Sequence, residues 1–415
     1  MNSELSSIPE VSRMMFGSEY ELLPSVNELF ELEMANIEFT VLGKDELLER
    51  SAFFKSAGGQ LTHHYLLCSN HGESASRSRS AKTKAYFENG KFSTGYSTHS
   101  LFPYRGKFHP QLIKGLLNII GVKAGERILD PMCGSGTANI EAALMGINSF
   151  AIDVSPFCQF MTKAKYDALA VDKDLLLSVK GKADELFEFF KKGNVLQRVA
   201  KIRNAEKIKV YEISLLAFLD AMGYARRVLK STHKELFAKV LERYLETIAD
   251  FATNPVFDKE RLGAIEVLSN SDATDLKIND RSIDGVITSP PYSFAIDYAK
   301  NDEAQLEYLG YNVDALRMKM IGLKGEQKRE KLENYFRDME HVCSEIKRVL
   351  KKKRYFVLII GSNTNQTGGI RLENTIIEHC ERIGLVLVRS ILKPIKGMWN
   401  TMKDEYVLIF RKEKE

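Results

Sequence analysis

Cysteine is scarce in this chain, and the few cysteines present lie far apart. Five occur among 415 residues, no two of them as a Cys-x-x-Cys pair: Cys68, Cys133, Cys158, Cys343 and Cys380. An odd, scattered set argues against a disulfide framework or a zinc ribbon, and it is typical of proteins in a reducing compartment. We therefore predict a cytoplasmic protein without a metal site.

Long apolar runs are also missing, and neither sign of charge predominates. No stretch reaches the roughly 20 apolar residues that a membrane-spanning helix needs. The early carboxylates Glu4 and Glu10 do not fit an apolar leader peptide, so we expect no membrane association. The formal net charge of +4 is too small to identify a nucleic-acid partner, although it permits local basic patches.

A glycine-bearing turn over 131–137 lacks the third glycine of the Gly-x-Gly-x-x-Gly dinucleotide pattern. It follows a short apolar strand ending at Asp130, precedes a helix, and is followed by a second strand ending at Asp153. This order predicts a nucleoside site in which Asp153 holds ribose hydroxyls. The carboxylate of Asp130 would repel a pyrophosphate but attract a sulfonium, which favours S-adenosylmethionine over NAD.

A second unusual turn, with the sequence Ser-Pro-Pro-Tyr, ends the apolar run that begins at Asp284. Neither Pro290 nor Pro291 can donate a ladder hydrogen bond, so a strand must stop there. The Ser289 hydroxyl and the backbone carbonyls would then face outwards as acceptors, with the Tyr292 ring beside them. Acceptors next to an aromatic ring suit the exocyclic amino group of a flat base.

Strand and helix patterns alternate on both sides of a long helical stretch. Strands are predicted at 127–130, 150–153, 264–268, 284–288, 355–360, 385–389 and 405–410, the last two as an antiparallel edge. This alternation predicts an α/β fold with a mostly parallel sheet and a ligand at the carboxyl ends of its strands. Helices are predicted over 174–192, 213–229 and 234–251 in the long helical stretch. In the N-terminal part, a helix is predicted over 42–54 and a strand over 60–68.

Basic residues concentrate in a loop near residue 80 and in the long helical stretch. The loop residues are Arg77, Arg79, Lys82 and Lys84, and the helical stretch is basic around 198–209 and 226–230. Contact with a phosphate backbone and a solvated face are both compatible with this composition. Four nearby metal-ligand types, His63, His64, Cys68 and His71, do not predict a metal site, because a strand sends neighbouring side chains to opposite faces.

The two turns together resemble those of the amino-methyltransferases that act on DNA bases. The resemblance extends to 102–110, 295–298 and 361–363, and it covers roughly residues 95–156 and 262–415. Ser-Pro-Pro-Tyr, rather than Asp- or Asn-Pro-Pro-Tyr, is typical of the members that make N4-methylcytosine.

This resemblance implies a fold, a division of the chain and a set of site residues. The fold is a Rossmann-like S-adenosylmethionine methyltransferase sheet at 96–156 and 262–415, with an N-terminal α+β extension at 1–95 and a helical insertion at 157–261, both of which we expect to contact nucleic acid. The implied cofactor contacts are Phe108, Pro110, Asp130, Pro131, Cys133, Gly134, Ser135, Gly136, Thr137, Asp153, Asp272 and Ala273. The base would be held by Ser289, Pro290, Pro291 and Tyr292, and Asp297 and Tyr298 would contact the nucleic acid.

The implied reaction is direct methyl transfer from S-adenosylmethionine to N4 of cytosine in a specific DNA sequence. Positioning and electrostatics suffice for such a step, so no covalent intermediate is expected. Adenine N6 and an amino group of RNA, such as guanine N2 in tRNA, are alternative targets. A non-catalytic nucleic-acid-binding protein is a third alternative, and a cognate restriction endonuclease is a partner compatible with the first.

Overall fold

The structure is a computed structural model that describes residues 8–69, 95–104, 106–193, 200–225, 231–291, 297–361, 369–394 and 404–413. Its main sheet contains β4 (Arg127–Asp130), β5 (Asn148–Ala151), β6 (Ile265–Val267), β7 (Ile283–Thr288), β8 (Leu350–Gly361), β9 (Leu385–Pro394) and β10 (Asp404–Lys412). Their order across the sheet is β6-β5-β4-β7-β8-β10-β9.

Six of these strands run in one direction, and the last one, β10, is inserted between β8 and β9 in the opposite direction. Strands β4 to β8 form the parallel pairs, while β10 pairs antiparallel with both β8 and β9. The chain winds outwards from β4 to β6 and then returns to the other side of β4, so the winding direction reverses between β4 and β7. The predicted α/β fold is confirmed, and the strand order is that of a Rossmann-like methyltransferase sheet.

Helices cover both faces of the sheet and form most of the long insertion. In the N-terminal part they are α1 (Ile8–Phe16), α2 (Leu29–Val41), α3 (Lys44–Arg50) and α4 (His63–Ser69). Around the first strands they are α5 (Pro110–Ile119), α6 (Thr137–Leu144), α7 (Pro156–Ala170), α8 (Lys173–Leu177), α9 (Ala183–Lys191), α10 (Ala205–Ala225) and α11 (His233–Ala252). After β7 they are α12 (Tyr298–Asn301), α13 (Glu303–Tyr308), α14 (Val313–Arg317), α15 (Lys328–Val349) and α16 (Leu372–Ile383). Within the described residues, no helix is both long and apolar enough to cross a bilayer.

The N-terminal part shares a hydrophobic core with one face of the sheet. Phe53 lies in the same buried cluster as Ile113 of α5, Ile128 of β4 and Ile287 of β7. A buried carboxylate, Glu38, adds a polar connection, because it accepts hydrogen bonds from Ala52 N at 2.9 Å and Asn118 Nδ2 at 2.7 Å. The described N-terminal residues therefore cover the sheet, together with a small antiparallel sheet of β1 (Tyr20–Leu22), β2 (Phe54–Ala57) and β3 (Gln60–Leu61).

The strand predicted over 60–68 is wrong beyond its first two residues. Only Gln60 and Leu61 are extended, and His63–Ser69 is a helix. His64, Leu67 and Cys68 are buried in this helix. Their spacing of three and four residues places them on one helical face, which a short alternating pattern did not reveal.

The helical insertion has a core of its own. Phe190 of α9, Phe218 of α10, and Phe237 and Tyr244 of α11 are buried in one cluster. The single helix predicted over 174–192 is wrong, because the chain forms two helices separated near Gly181, whose φ is +82°. The next helix begins at Ala205 instead of residue 213.

Candidate active site

The glycine turn between β4 and α6 lies at the centre of the site, and two of its glycines have positive φ. Gly134 has φ +51° and Gly136 has φ +74°, a region that side-chain-bearing residues rarely adopt. A Cβ on Gly136 would lie 2.6 Å from Thr162 Oγ1 of α7, so the turn also needs glycine for space. The backbone can therefore approach both a neighbouring helix and a ligand.

Asp130, at the end of β4, is fully buried behind this turn. Its Oδ1 accepts hydrogen bonds from Thr288 Oγ1 at 2.8 Å and from Met132 N at 3.2 Å. Its Oδ2 is buried and has no partner in the part of the chain that the structure describes. Burial raises the pKa of this carboxyl to about 7. An unpaired buried oxygen of this kind fits a donor or a positive charge from a ligand.

Asp153, just after β5, is held by two backbone groups. Its Oδ2 accepts from Gly134 N at 2.9 Å and its Oδ1 accepts from Ser155 N at 2.8 Å. Desolvation raises the pKa of this carboxyl to about 6, although both hydrogen bonds oppose the shift. The side chain is thus fixed against the glycine turn and lines the same cavity as Gly134.

A cavity of about 430 Å³ lies above the ends of β4, β5 and β7. Eight residues predicted from the sequence line it: Pro131, Gly134, Asp153, Asp272, Ala273, Ser289, Pro291 and Tyr298. The other predicted residues within the described chain are not on its wall: Phe108, Pro110, Asp130, Cys133, Ser135, Gly136, Thr137, Pro290 and Asp297. The structure therefore brings the cofactor turn and the base-binding turn to one cavity.

The Ser-Pro-Pro turn follows β7 directly, as predicted. All six residues of β7 are buried, and the strand ends at Thr288. Ser289 and Pro291 face the cavity, while Pro290 is buried. Tyr292 lies outside the described residues. The hydrogen bond from Thr288 to Asp130 links this turn to the glycine turn, and no sequence pattern indicates that contact.

The loop before α5 covers the glycine turn. A Cβ on Gly134 would lie 3.3 Å from the Tyr104 ring, and the Tyr104 hydroxyl accepts from Cys158 Sγ at 3.4 Å. The ring of Tyr104 is nearly parallel to that of Tyr298, with 6.5 Å between centroids. Further back, Pro110 is the first residue of α5 and Phe108 packs on the core, so these two support the loop from behind.

The predicted nucleic-acid contacts divide into two groups. The loop residues Arg77, Arg79, Lys82 and Lys84 lie outside the described residues. Asp297 caps α12 through Lys300 N at 3.0 Å and forms an ion pair with Arg317 at 2.6 Å, whereas Tyr298 lines the cavity. Among the described residues, no group of three or more His, Cys, Asp or Glu side chains is arranged to hold a metal ion.

Several cavity residues were missed by the sequence analysis. They come from the segment after the Ser-Pro-Pro turn: Asp302, Met318, Lys319, Met320, Ile321, Leu323 and Lys324. None belongs to a recognisable motif, and only the packing of α12 to α14 brings them to the site. An Asp at a helix start, such as Asp302, is usually a cap, so its position in the sequence alone gave no signal.

Two family models match different parts of the chain. A model described as an RMKL-like methyltransferase domain matches residues 100–218, and one described as a DNA methylase matches residues 283–415. The first contains the glycine turn and the second contains the Ser-Pro-Pro turn. The predicted resemblance to DNA amino-methyltransferases is confirmed, and with it S-adenosylmethionine as the cofactor of this fold.

Three curated relatives are similar to parts of the chain. The type II methyltransferase M.BsoBI of Geobacillus stearothermophilus is 24% identical over 61% of this chain and 62% of its own length. The type II methyltransferase M.MjaII of Methanocaldococcus jannaschii is 28% identical over 37% of this chain and 30% of its own length. A tRNA (guanine(10)-N2)-dimethyltransferase of Methanothermobacter thermautotrophicus is 49% identical over 53 residues, 13% of this chain and 16% of its own. The chain thus spans less than two thirds of each relative.

Solved structures resemble the chain only distantly. An S-adenosylmethionine-dependent methyltransferase of Methanosarcina mazei is 12% identical over 71% of this chain and 95% of its own, with a TM-score of 0.34. TrmN of Thermus thermophilus is 13% identical over 74% of this chain and 50% of its own, with a TM-score of 0.32. These scores are too low to support an argument.

Proposed function

We propose that the protein transfers a methyl group, within this cavity, from S-adenosylmethionine to the N4 amino group of cytosine in DNA. The observation that carries this proposal is the meeting of the two turns at adjacent parallel strands. Ser289 and Pro291 share a cavity with Gly134 and Asp153, and the Thr288–Asp130 hydrogen bond of 2.8 Å joins the two sides.

The residues present fit the cofactor. The fixed carboxylate of Asp153 on the cavity wall offers acceptors to its ribose hydroxyls, and the carboxyl group of Asp130, buried behind the glycine turn, would favour its positive charge electrostatically. Asp272 and Ala273 line the cavity near β6, where an adenine ring would lie in a fold of this type. When bound, the cofactor supplies a methyl group activated by its sulfonium.

The turn after β7 would prepare the amino group of the target base. The lone pair of cytosine N4 is delocalised into the ring, so the nitrogen is a poor nucleophile. Acceptance of its two N–H hydrogens by the Ser289 hydroxyl and the Pro290 carbonyl would favour tetrahedral geometry and expose the lone pair. The lone pair would form the new N–C bond as the S–C bond breaks, so that S-adenosylhomocysteine leaves as a neutral thioether and one N4 proton passes to solvent. A base must leave the helix stack to reach such a cavity, and an aromatic ring at the entrance offsets part of that cost.

The buried thiols near the cavity support direct transfer rather than ring-carbon chemistry. Ring-carbon methylation would need a thiolate nucleophile, whereas burial raises the pKa of both Cys133 and Cys158 well above the ordinary thiol value. Both side chains are also buried in contact with hydroxyl groups, Cys133 with Thr162 and Cys158 with Tyr104. Neither is therefore suited to attack a base.

The rim of the cavity supports a nucleic-acid substrate. Met318 is 66% exposed and lies beside the exposed Lys319, and both line the cavity. An apolar side chain next to a cation at a cavity mouth suits a base stack and its phosphates. DNA is favoured because the DNA methylase model matches 283–415, which includes this rim, and a cognate restriction endonuclease is a partner consistent with the type II relatives.

An RNA amino group is the second candidate target. It is favoured by the 53-residue match to a tRNA (guanine(10)-N2)-dimethyltransferase. This match covers 13% of the chain, against 61% for the type II methyltransferase M.BsoBI, so we rank RNA below DNA. Adenine N6 presents the same kind of amino group, and the preference for cytosine rests on the family resemblance of Ser289.

The proposal is tested with radiolabelled cofactor, DNA and RNA as substrates, and nucleoside analysis of the products. We expect label in DNA as N4-methylcytosine. Label as N6-methyladenine would keep the mechanism and change the base. Label only in RNA, or only on a ring carbon, would overturn the proposal.

A further inference from the structure

Asp302 is the N-cap residue of α13, yet its side chain does not cap the helix. Its carbonyl accepts the first hydrogen bonds of α13, from Gln305 N at 3.0 Å and Leu306 N at 2.9 Å. Asp at this position normally accepts a backbone hydrogen bond with its side chain. Here the side chain makes no cap hydrogen bond and instead lines the cavity.

This side chain is mostly buried, and its carboxyl oxygens open to the cavity without a partner among the described residues. Asp302 is only 8% exposed, and within the described residues its side chain has neither a hydrogen bond nor an ion pair. Burial, and then the negative charge of Asp153, raise its pKa to about 7. A buried carboxylate without a partner destabilises the free protein, so its presence in a cavity calls for a ligand.

The other charges on the cavity wall do not satisfy Asp302. Asp153 and Asp272 already accept hydrogen bonds from backbone groups, Gly134 N and Thr274 N among them. Lys324 forms an ion pair with Asp338 at 2.8 Å, and Lys319, also on the wall, makes no ion pair with Asp302 within the described residues. Among the described wall residues, Asp302 is therefore the carboxylate with both oxygens open to a ligand.

We infer that Asp302 binds a positive charge of the cofactor and so makes the cavity selective for cationic ligands. This inference deepens the proposed function and rests on its cofactor assignment. S-adenosylmethionine carries two cationic groups, an ammonium and a sulfonium, and either would pair with an open carboxylate. The product S-adenosylhomocysteine keeps only the ammonium, and methylthioadenosine has neither group. A comparison of the three ligands therefore shows which cationic group Asp302 binds.

The test measures calorimetric affinities of the three ligands at pH 8 for the full chain and for Asp302→Asn. Asn has the same shape without the charge, and Glu307→Gln, an exposed position on the same helix, is the matched control. For Asp302→Asn we expect a loss of about 10- to 100-fold for S-adenosylmethionine, the effect of losing one hydrogen bond to a charged group. Methylthioadenosine and the Glu307→Gln variant should show unchanged affinities.

The pattern of losses identifies the charge. An equal loss for S-adenosylmethionine and S-adenosylhomocysteine assigns Asp302 to the ammonium, and a loss for S-adenosylmethionine alone assigns it to the sulfonium. Unchanged affinity for all three ligands, or an equal loss for methylthioadenosine, overturns the inference while the proposed function stands. Failure of the unmodified protein to bind any of the three would overturn the cofactor assignment and the inference with it.

A second measurement separates ligand binding from folding. The unfolding temperature of ligand-free Asp302→Asn should equal or exceed that of the unmodified protein, because an unpaired buried charge has been removed. A clear decrease would identify a structural role for the carboxylate and would contradict its assignment as a ligand-binding group.

Discussion

The turns after β4 and β7 end adjacent parallel strands, but they are completed in different ways. The glycine turn is satisfied by nearby residues of the βαβ unit, since Gly134 N donates to Asp153 and Gly136 packs on Thr162. The Ser-Pro-Pro turn is completed by residues farther along the chain, including Asp302 and Met318 on the same cavity wall. The local unit thus supplies one part of the cofactor site, whereas the wall that carries Asp302 depends on the packing of later helices.

Gly136→Ala should produce the largest loss of stability, because it disrupts the glycine turn itself. The added Cβ has a strained φ and lies 2.6 Å from Thr162 Oγ1, so we expect a loss of about 2–4 kcal/mol in unfolding free energy. Chemical denaturation of the variant provides the measurement. Gly121→Ala is the control, since its φ of +69° is similar but no atom lies within 4 Å, and it should lose only about 1 kcal/mol.

Thr288→Val should produce the next largest effect, because it breaks the link between the two turns. Removal of the hydroxyl deprives the buried Asp130 carboxylate of one hydrogen bond, which should lower the free energy of unfolding by about 1–3 kcal/mol. Cofactor affinity should fall as well, as calorimetry would show. Thr62→Val is the control. It removes a buried hydroxyl that donates to a neutral carbonyl, Phe54 O, and it should leave cofactor affinity unchanged. Equal affinities in both variants would mean that the two turns are independent.

Asp302→Asn should show a smaller, pH-dependent effect at the part of the cavity wall that the later helices build. The folded-state pKa of Asp302 is raised to about 7 from an ordinary value of 3.8, so its ionisation destabilises the folded protein only as the pH rises. The gain in unfolding temperature for Asp302→Asn should therefore be small near pH 4, increase up to about pH 7 and then level off. A gain that is constant with pH would show that the charge is not responsible.

Neutralising Arg77, Arg79, Lys82 and Lys84 should have the smallest effect per residue. If this loop contacts phosphates, DNA affinity should weaken evenly across sequences, and the slope of log affinity against log salt should decrease by about 0.9 per lost contact. The control is the double variant Lys352→Gln and Lys353→Gln. These exposed lysines lie near the start of β8, at the end of the strands opposite the cavity. An unchanged slope in the loop variant would identify the loop as a solvated face.

The sequence allowed good prediction where the structure depends on local patterns. The strand ends at Asp130 and Thr288, and the position of Asp153, follow from apolar runs that stop at glycine, acidic or proline residues. The helix at His63–Ser69 was missed because a run of seven residues fits both a strand and a helix period. Asp302 was missed because its burial depends on the position of α12 and α13, which no local pattern specifies.

The most direct test of the account is a comparison of single-turnover methylation rate and cofactor affinity in Ser289→Ala. The contact of the Ser289 hydroxyl with the target amino group should strengthen only as the nitrogen becomes tetrahedral, so the rate should fall while cofactor affinity stays the same. Ser282→Ala, at the other end of β7, removes a hydroxyl that donates to Asn279 O at 2.7 Å and should change neither quantity. A rate in Ser289→Ala equal to that of the unmodified protein would contradict the assignment of the Ser-Pro-Pro turn as the acceptor of the target amino group.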